Sequence, residues 1–167
     1  MSTTIDTRRL EERAIEPITK LFTKKLMVPN IYIHPRWPKF ARLIDLLAID
    51  RAGSGDVHIV EIAYQANSAV NSIPKLMKVP AAYRWIAFFS KTMLPFVKHR
   101  LRQPHTLFPA EGPGRIGIIE VNTSNPDDAL GDTLEASILV QAERFPGAYY
   151  EMAQKFAAKN PPDIEFP

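Results

Sequence analysis

An α/β domain is predicted by three features of this 167-residue chain. Its first 25 residues carry apolar side chains at helical spacing. Short β-branched or continuously apolar runs follow, set between turn-forming stretches. Helical patterning then resumes between two of those runs, which gives the order helix, three strands, helix, strand, followed by a further strand and C-terminal helices. With 46% hydrophobic residues the chain suits one globular domain, 1–167, with 159–167 as an extended tail.

From Thr7 to Lys25, Leu10, Ala14, Ile18, Leu21 and Phe22 recur at helical spacing with charges between them, and Pro17 is expected to kink the helix or restart it. Ile31-Tyr32-Ile33 reads as a short strand at an edge or one that ends early, since prolines flank it. The runs Arg42 to Asp50 and Asp56 to Gln65 form a hairpin across Arg51-Ala52-Gly53-Ser54-Gly55, with Asp50 and Asp56 serving the turn. Ser68 to Val79 offers Val70, Ile73, Leu76 and Met77 to one helical face, although Pro74 favours a late start. Tyr83 to Phe89 and Gly114 to Val121 read as buried strands. Ser124 or Asn125 suits a helix cap ahead of Pro126, and Leu134 to Phe145 and Tyr149 to Ala158 read as further helices.

Cysteine is absent, which removes disulfides, thiolate zinc sites and cysteine nucleophiles. The N-terminus lacks the apolar core of a signal peptide, and no apolar run nears the roughly 18 residues that span a bilayer. A soluble, cytoplasmic protein without membrane contact is therefore expected. A net charge of +3 and a pI near 9.2 permit nucleic-acid binding without requiring it. Charge placement is more specific. Lys91, Lys98, Arg100 and Arg102 lie in a segment, 91–105, free of acidic residues, which suits a phosphate backbone and equally suits a solvated helix face. The histidines His34, His58, His99 and His105 are scattered and do not form a zinc pattern. Phosphate-loop, dinucleotide and serine-hydrolase signatures are missing. The aromatic residues Trp37, Trp85, Phe88, Phe89, Tyr149 and Tyr150 read as packing residues, and Glu120 as a strand-end charge or a partner of Arg115.

Asp45 and Glu61 carry the chemistry. A hairpin symmetric about Gly53 places them opposite each other, with Cβ atoms roughly 4.5 to 5.5 Å apart, where like charges repel unless a cation or a proton intervenes. A divalent metal would supply that cation. An ion pair with Arg36, Lys39 or Arg42 is the plainer alternative.

The stretch Leu43-Ile44-Asp45-Leu46-Leu47-Ala48-Ile49-Asp50, the turn, and Asp56-Val57-His58-Ile59-Val60-Glu61-Ile62-Ala63 resemble the restriction-endonuclease-like PD-(D/E)XK nuclease superfamily, a likeness extending over Leu10 to Phe89. That resemblance implies a magnesium or manganese site made by Asp45, Glu61 and the carbonyl of Ile62, with a first-helix glutamate completing it. Glu12 and Glu16 are the candidates, with Glu11 behind them. The family's lysine would fall on Ala63, which can neither donate a hydrogen bond nor carry charge. Gln65, on the same strand face, or Lys75 or Lys78, from the next helix, could replace it. The resemblance implies phosphodiester cleavage with nucleic acid as partner. A catalytically silent relative that serves as a binding or assembly module is the alternative, with a protein partner, and a homo-oligomer is compatible with either.

Overall fold

A computed structural model describes residues 3–37, 44–50, 55–63, 72, 75–89, 114–123 and 134–165. Helix α1 (Thr3–Lys20) runs into a π-helical turn, Leu21–Lys25. Strands β1 (Asn30–Ile33), β2 (Leu46–Ile49), β3 (Val57–Ala63), β4 (Tyr83–Phe89), β5 (Gly117–Thr123) and β6 (Leu134–Val140) follow, then helix α2 (Tyr150–Lys159) and the two-residue β7 (Ile164–Glu165). Together the strands make one mixed sheet in the order β6-β5-β4-β3-β2-β1-β7. β1, β2 and β3 form an antiparallel meander, β4 and β5 lie parallel to β3, and β6 and β7 close the two sides in antiparallel fashion.

Pro17 sits inside α1 without ending it, and the irregularity comes later, at the π-helical turn. There the Thr23 hydroxyl donates to the Thr19 carbonyl at 2.9 Å, a local bond that competes with helical pairing. Ala14, Ile18, Leu21 and Phe22 cover one sheet face, against Leu46, Ala48, Val60, Trp85 and Ala87. The opposite face presents Leu47, Ile49, Ile59, Ala63, Ile86 and Phe88 to Leu76, Val79, Tyr149 and Ala153. Both faces of the central strands are thus covered, and each fully buried side chain such as Phe22 or Leu47 contributes about 1.5–3 kcal/mol.

Two expectations are corrected. Leu134 to Val140 is a strand, not the start of a helix. Leu134, Ala136, Ile138 and Val140 are half-buried while Glu135, Ser137 and Leu139 are exposed, a period of two that β5 turns into pairing. The extended tail is also partly ordered, since Ile164 and Glu165 pair with Ile31 and Asn30, and the Asp163 carboxylate accepts from the Ile33 N–H at 2.7 Å. Between β3 and β4, Ser72 and residues 75–78 are helical. The proposed cap at Ser124 or Asn125 lies outside the described residues.

Candidate functional site

The β2–β3 register pairs Leu46 with Val60, Leu47 with Ile59, Ala48 with His58 and Ile49 with Val57. Continued by one residue, it sets Asp45 opposite Glu61, the arrangement expected from symmetry about Gly53. The turn closes with the Gly55 N–H donating to the Asp50 carbonyl at 2.8 Å and the Asp50 N–H to the Asp56 carbonyl at 3.1 Å. Asp56 does more than serve this turn, because its carboxylate accepts three hydrogen bonds from Nε and Nη2 of Arg144 at 2.9 to 3.2 Å.

Asp45 stands just before β2 and is held on several sides. Its Oδ2 accepts from the Ile62 N–H at 2.8 Å, its carbonyl accepts from the His34 N–H at 3.0 Å, and its own N–H hydrogen-bonds to the Glu61 carboxylate. The N–H and C=O of one strand residue leave toward the same neighbour, so the Ile62 carbonyl is directed to the side where Asp45 stands. Glu61 is buried, on the face shared with Ile59 and Ala63. Lys75 Nζ lies 2.8 Å from Glu61 Oε1. The ammonium both hydrogen-bonds and attracts that carboxylate, and each effect favours its ionised form.

Burial, and next the charge of Asp45, push the Glu61 carboxyl up from 4.5 to about 7, against the pull of Lys75 and the Asp45 N–H. Glu11 is half-buried, and burial and then the Asp45 charge raise its carboxyl too. Among the described residues, the Asp45 charge thus acts on both Glu11 and Glu61, while the ammonium of Lys75 acts on Glu61. Glu12 is exposed, and Glu16 is engaged with Lys20 at 3.0 Å on the solvated side of α1. Glu11, which the sequence places behind Glu12 and Glu16, is thus a first-helix glutamate that feels the Asp45 charge.

Lys75 owes its place to its neighbours. Leu76 and Val79 are buried beneath it, the Val79 N–H donates to the Lys75 carbonyl at 3.1 Å, and Arg84 Nη1 donates to the Met77 carbonyl at 3.2 Å. Arg84 in turn lies over the Phe145 ring, 3.9 Å from its centre. Lys78 is exposed. Ala63 is fully buried in the core, where a lysine would have to displace packed neighbours. Gln65 and the basic residues Lys91, Lys98, Arg100 and Arg102 lie outside the described residues, as do Lys39 and Arg42.

Sequence reading missed His34. Its Nδ1 is 3.8 Å from Asp45 Oδ1 and its backbone is left-handed, with φ +48°. The signal was present in the β1–β2 register, Ile33 opposite Leu46, which continues to His34 opposite Asp45. Histidine spacing along the chain hides it. Arg115 pairs with Glu143 at 3.3 Å, not with Glu120. Among the described residues, no group of three His, Asp or Glu side chains forms a metal cluster, and no helix is long and apolar enough to cross a membrane.

No family model and no curated protein matches the chain. A solved structure, the SPO1766 protein of unknown function from Silicibacter pomeroyi, is similar over 92% of this chain and 85% of its own, with 13% identity and a TM-score of 0.54. At that identity the likeness concerns architecture alone, and it places this chain among mixed α/β folds.

Proposed function

We propose that the protein is a divalent-metal-dependent nuclease of restriction-endonuclease-like fold, acting on phosphodiesters. The observation that carries this reading is the reach of Lys75 to Glu61 from the segment after β3, beside Asp45. An ammonium thus arrives at the carboxylate pair without a lysine at Ala63. The sheet order supports the same reading, since an antiparallel meander followed by a parallel fourth strand, with α1 ahead of it and helical residues between β3 and β4, is the arrangement the motif implies.

The residues present fit a divalent ion. Among the described residues, the Asp45 charge raises the Glu61 carboxyl despite Lys75, so two oxygen-bearing groups repel each other where a cation would relieve them. Asp45, Glu61 and the Ile62 carbonyl would hold magnesium or manganese through oxygen donors. A bound ion would polarise the phosphate and lower the pKa of the attacking water. Lys75 orients that water and stabilises negative charge developing on the phosphate. Asp45 is kept in position by the Ile62 N–H, so the pair is organised before substrate arrives.

The test is cleavage of labelled single-stranded and duplex DNA and RNA with magnesium or manganese. The wild type should cut at least one of them, and Lys75→Met should lower turnover by about 100-fold or more while metal binding persists. A protein that binds manganese yet is inert on every substrate would sink the nuclease reading in favour of a silent binding module.

A further inference from the structure

On the sheet face that carries Glu61, a groove of about 1200 Å³ runs between β1 with the residues after it and helix α2. It exceeds the roughly 300–1,000 Å³ of an ordinary small-molecule pocket. Its near end is formed by Ile33, Pro35 and Arg36, on either side of His34, whose Nδ1 lies 3.8 Å from Asp45 Oδ1, and the Pro35 carbonyl accepts from the N–H of Ile44, the residue before Asp45. Its apolar floor includes the half-buried Phe156 ring, which meets the buried Tyr32 and Trp37 rings edge-on with centres 5.0 and 5.1 Å away. Both partners are buried and hold that ring in place, the Tyr32 hydroxyl donating to the Asn160 carbonyl at 3.1 Å and Trp37 Nε1 to the Pro80 carbonyl at 2.7 Å.

We propose that this groove is the path of a single nucleic-acid strand running to or from the carboxylate centre, with its phosphates on Arg36, Lys155 and Lys159. The inference rests on the nuclease reading and deepens it by naming the substrate form. Cations along the rim of an apolar floor that presents the Phe156 ring suit an unpaired base together with its backbone, whereas a duplex offers its outer phosphates and keeps its base faces stacked. The acidic groups on the rim, Glu151 and Asp163, reduce this charge without reversing it. Lys155 pairs with Glu151 at 3.0 Å, but both side chains are exposed, so a phosphate exchanges for the carboxylate at little cost. The Asp163 carboxylate accepts from the Ile33 N–H and keeps its charge, so among the described residues the lining carries three cations against two carboxylates.

The experiment is fluorescence anisotropy of labelled oligo-dT, and of a duplex of equal length, on the full chain in EDTA, where cleavage is blocked. Lys155→Glu combined with Lys159→Glu should weaken oligo-dT binding by about tenfold or more and reduce its salt slope by roughly 0.7 for each phosphate that is no longer neutralised. Lys24→Glu combined with Lys25→Glu, the same charge change on the π-helical turn, should weaken it less than about twofold. Melting curves confirm that each variant folds, and Lys155→Gln with Lys159→Gln carries the same comparison if the reversal does not. Equal losses from the two double variants, tighter binding of the duplex with the same dependence on Lys155 and Lys159, or capture of peptides but not oligo-dT would overturn the proposal. Cleavage by a groove variant at the wild-type rate on single strands would also overturn it while leaving the nuclease reading intact. Groove-dependent oligo-dT binding without metal-dependent cleavage would support the strand path and remove the nuclease.

Discussion

Glu61 and His58 sit three residues apart on β3, and burial drives their titrations in opposite directions. Burial and the Asp45 charge raise the Glu61 carboxyl from 4.5 to about 7, so the folded protein holds that proton more tightly than the unfolded chain. The resulting stability is present below pH 4.5 and lost as pH rises through 7, a loss on the order of 1 to 3 kcal/mol. His58 is packed between Phe22 and Tyr83 and accepts a hydrogen bond from Trp85 at its Nδ1, 3.3 Å away. Its burial lowers it from 6.5 to about 4, which makes its stability present above 6.5 and lost as pH falls toward 4. Between about 5 and 6.5 the two slopes oppose each other, so the Glu61 contribution is read best by difference. In EDTA, Glu61→Gln should gain stability relative to wild type as pH rises from 5 to 8, with denaturant midpoints as the measurement. Parallel curves for the two proteins would show that Glu61 does not titrate in this range. The facing of these carboxylates was legible in the sequence because hairpin symmetry fixes it. The lysine was legible only as a choice, since a contact from Lys75 or from Lys78 depends on how the helical turn at 75–78 is seated.

Hairpin symmetry became a real register because Gly55 takes a backbone that other residues resist. Its φ of +71° lies in the left-handed region, and a Cβ there would meet the Tyr150 ring, with the Tyr150 Cα at 3.1 Å. Gly55→Ala should therefore cost about 2–3 kcal/mol, from left-handed strain of roughly 1–2 kcal/mol plus displacement of α2. For a chain of this length that lowers Tm by about 4–12 °C. A melting temperature within about 1 °C of wild type would show that the turn tolerates a side chain. Other elements were legible unevenly. Tyr83 to Phe89 is a strand with the bounds its continuous apolar run suggests. Leu134 to Val140 was misread because Leu134 and Ile138 also lie four apart, and only the neighbouring edge of β5 decides between the two periods. Ile164 and Glu165 form a strand for the same reason, by pairing with a partner distant in sequence.

At the scale of the whole molecule, the sheet brings together groups that the sequence keeps far apart. Glu11 comes from α1, Asp45 and Glu61 from the facing ends of β2 and β3, and Lys75 from the crossover to β4, so every layer of the fold meets near one end of the meander. Because none of these carboxyls is clustered in the unfolded chain, an ion that they hold would bind the folded state alone and shift the unfolding equilibrium. Manganese at about 100 times its dissociation constant should then add roughly 2.7 kcal/mol, a rise in Tm of about 5–11 °C. Asp45→Asn combined with Glu61→Gln should melt at the same temperature with and without manganese. Glu11→Gln should retain most of the rise, since Glu11 supplies field more than a ligand in this reading. The measurement is a melting series against manganese concentration at pH 8, where the Glu61 carboxyl is ionised. Manganese that stabilises the double variant as much as the wild type binds elsewhere, and the carboxylate pair would then be a buried ion-paired device fastening β3 to the segment at 75–82. A rise confined to proteins with both carboxylates would tie the architecture to the metal, because the register that sets Asp45 against Glu61 would be what the ion reads.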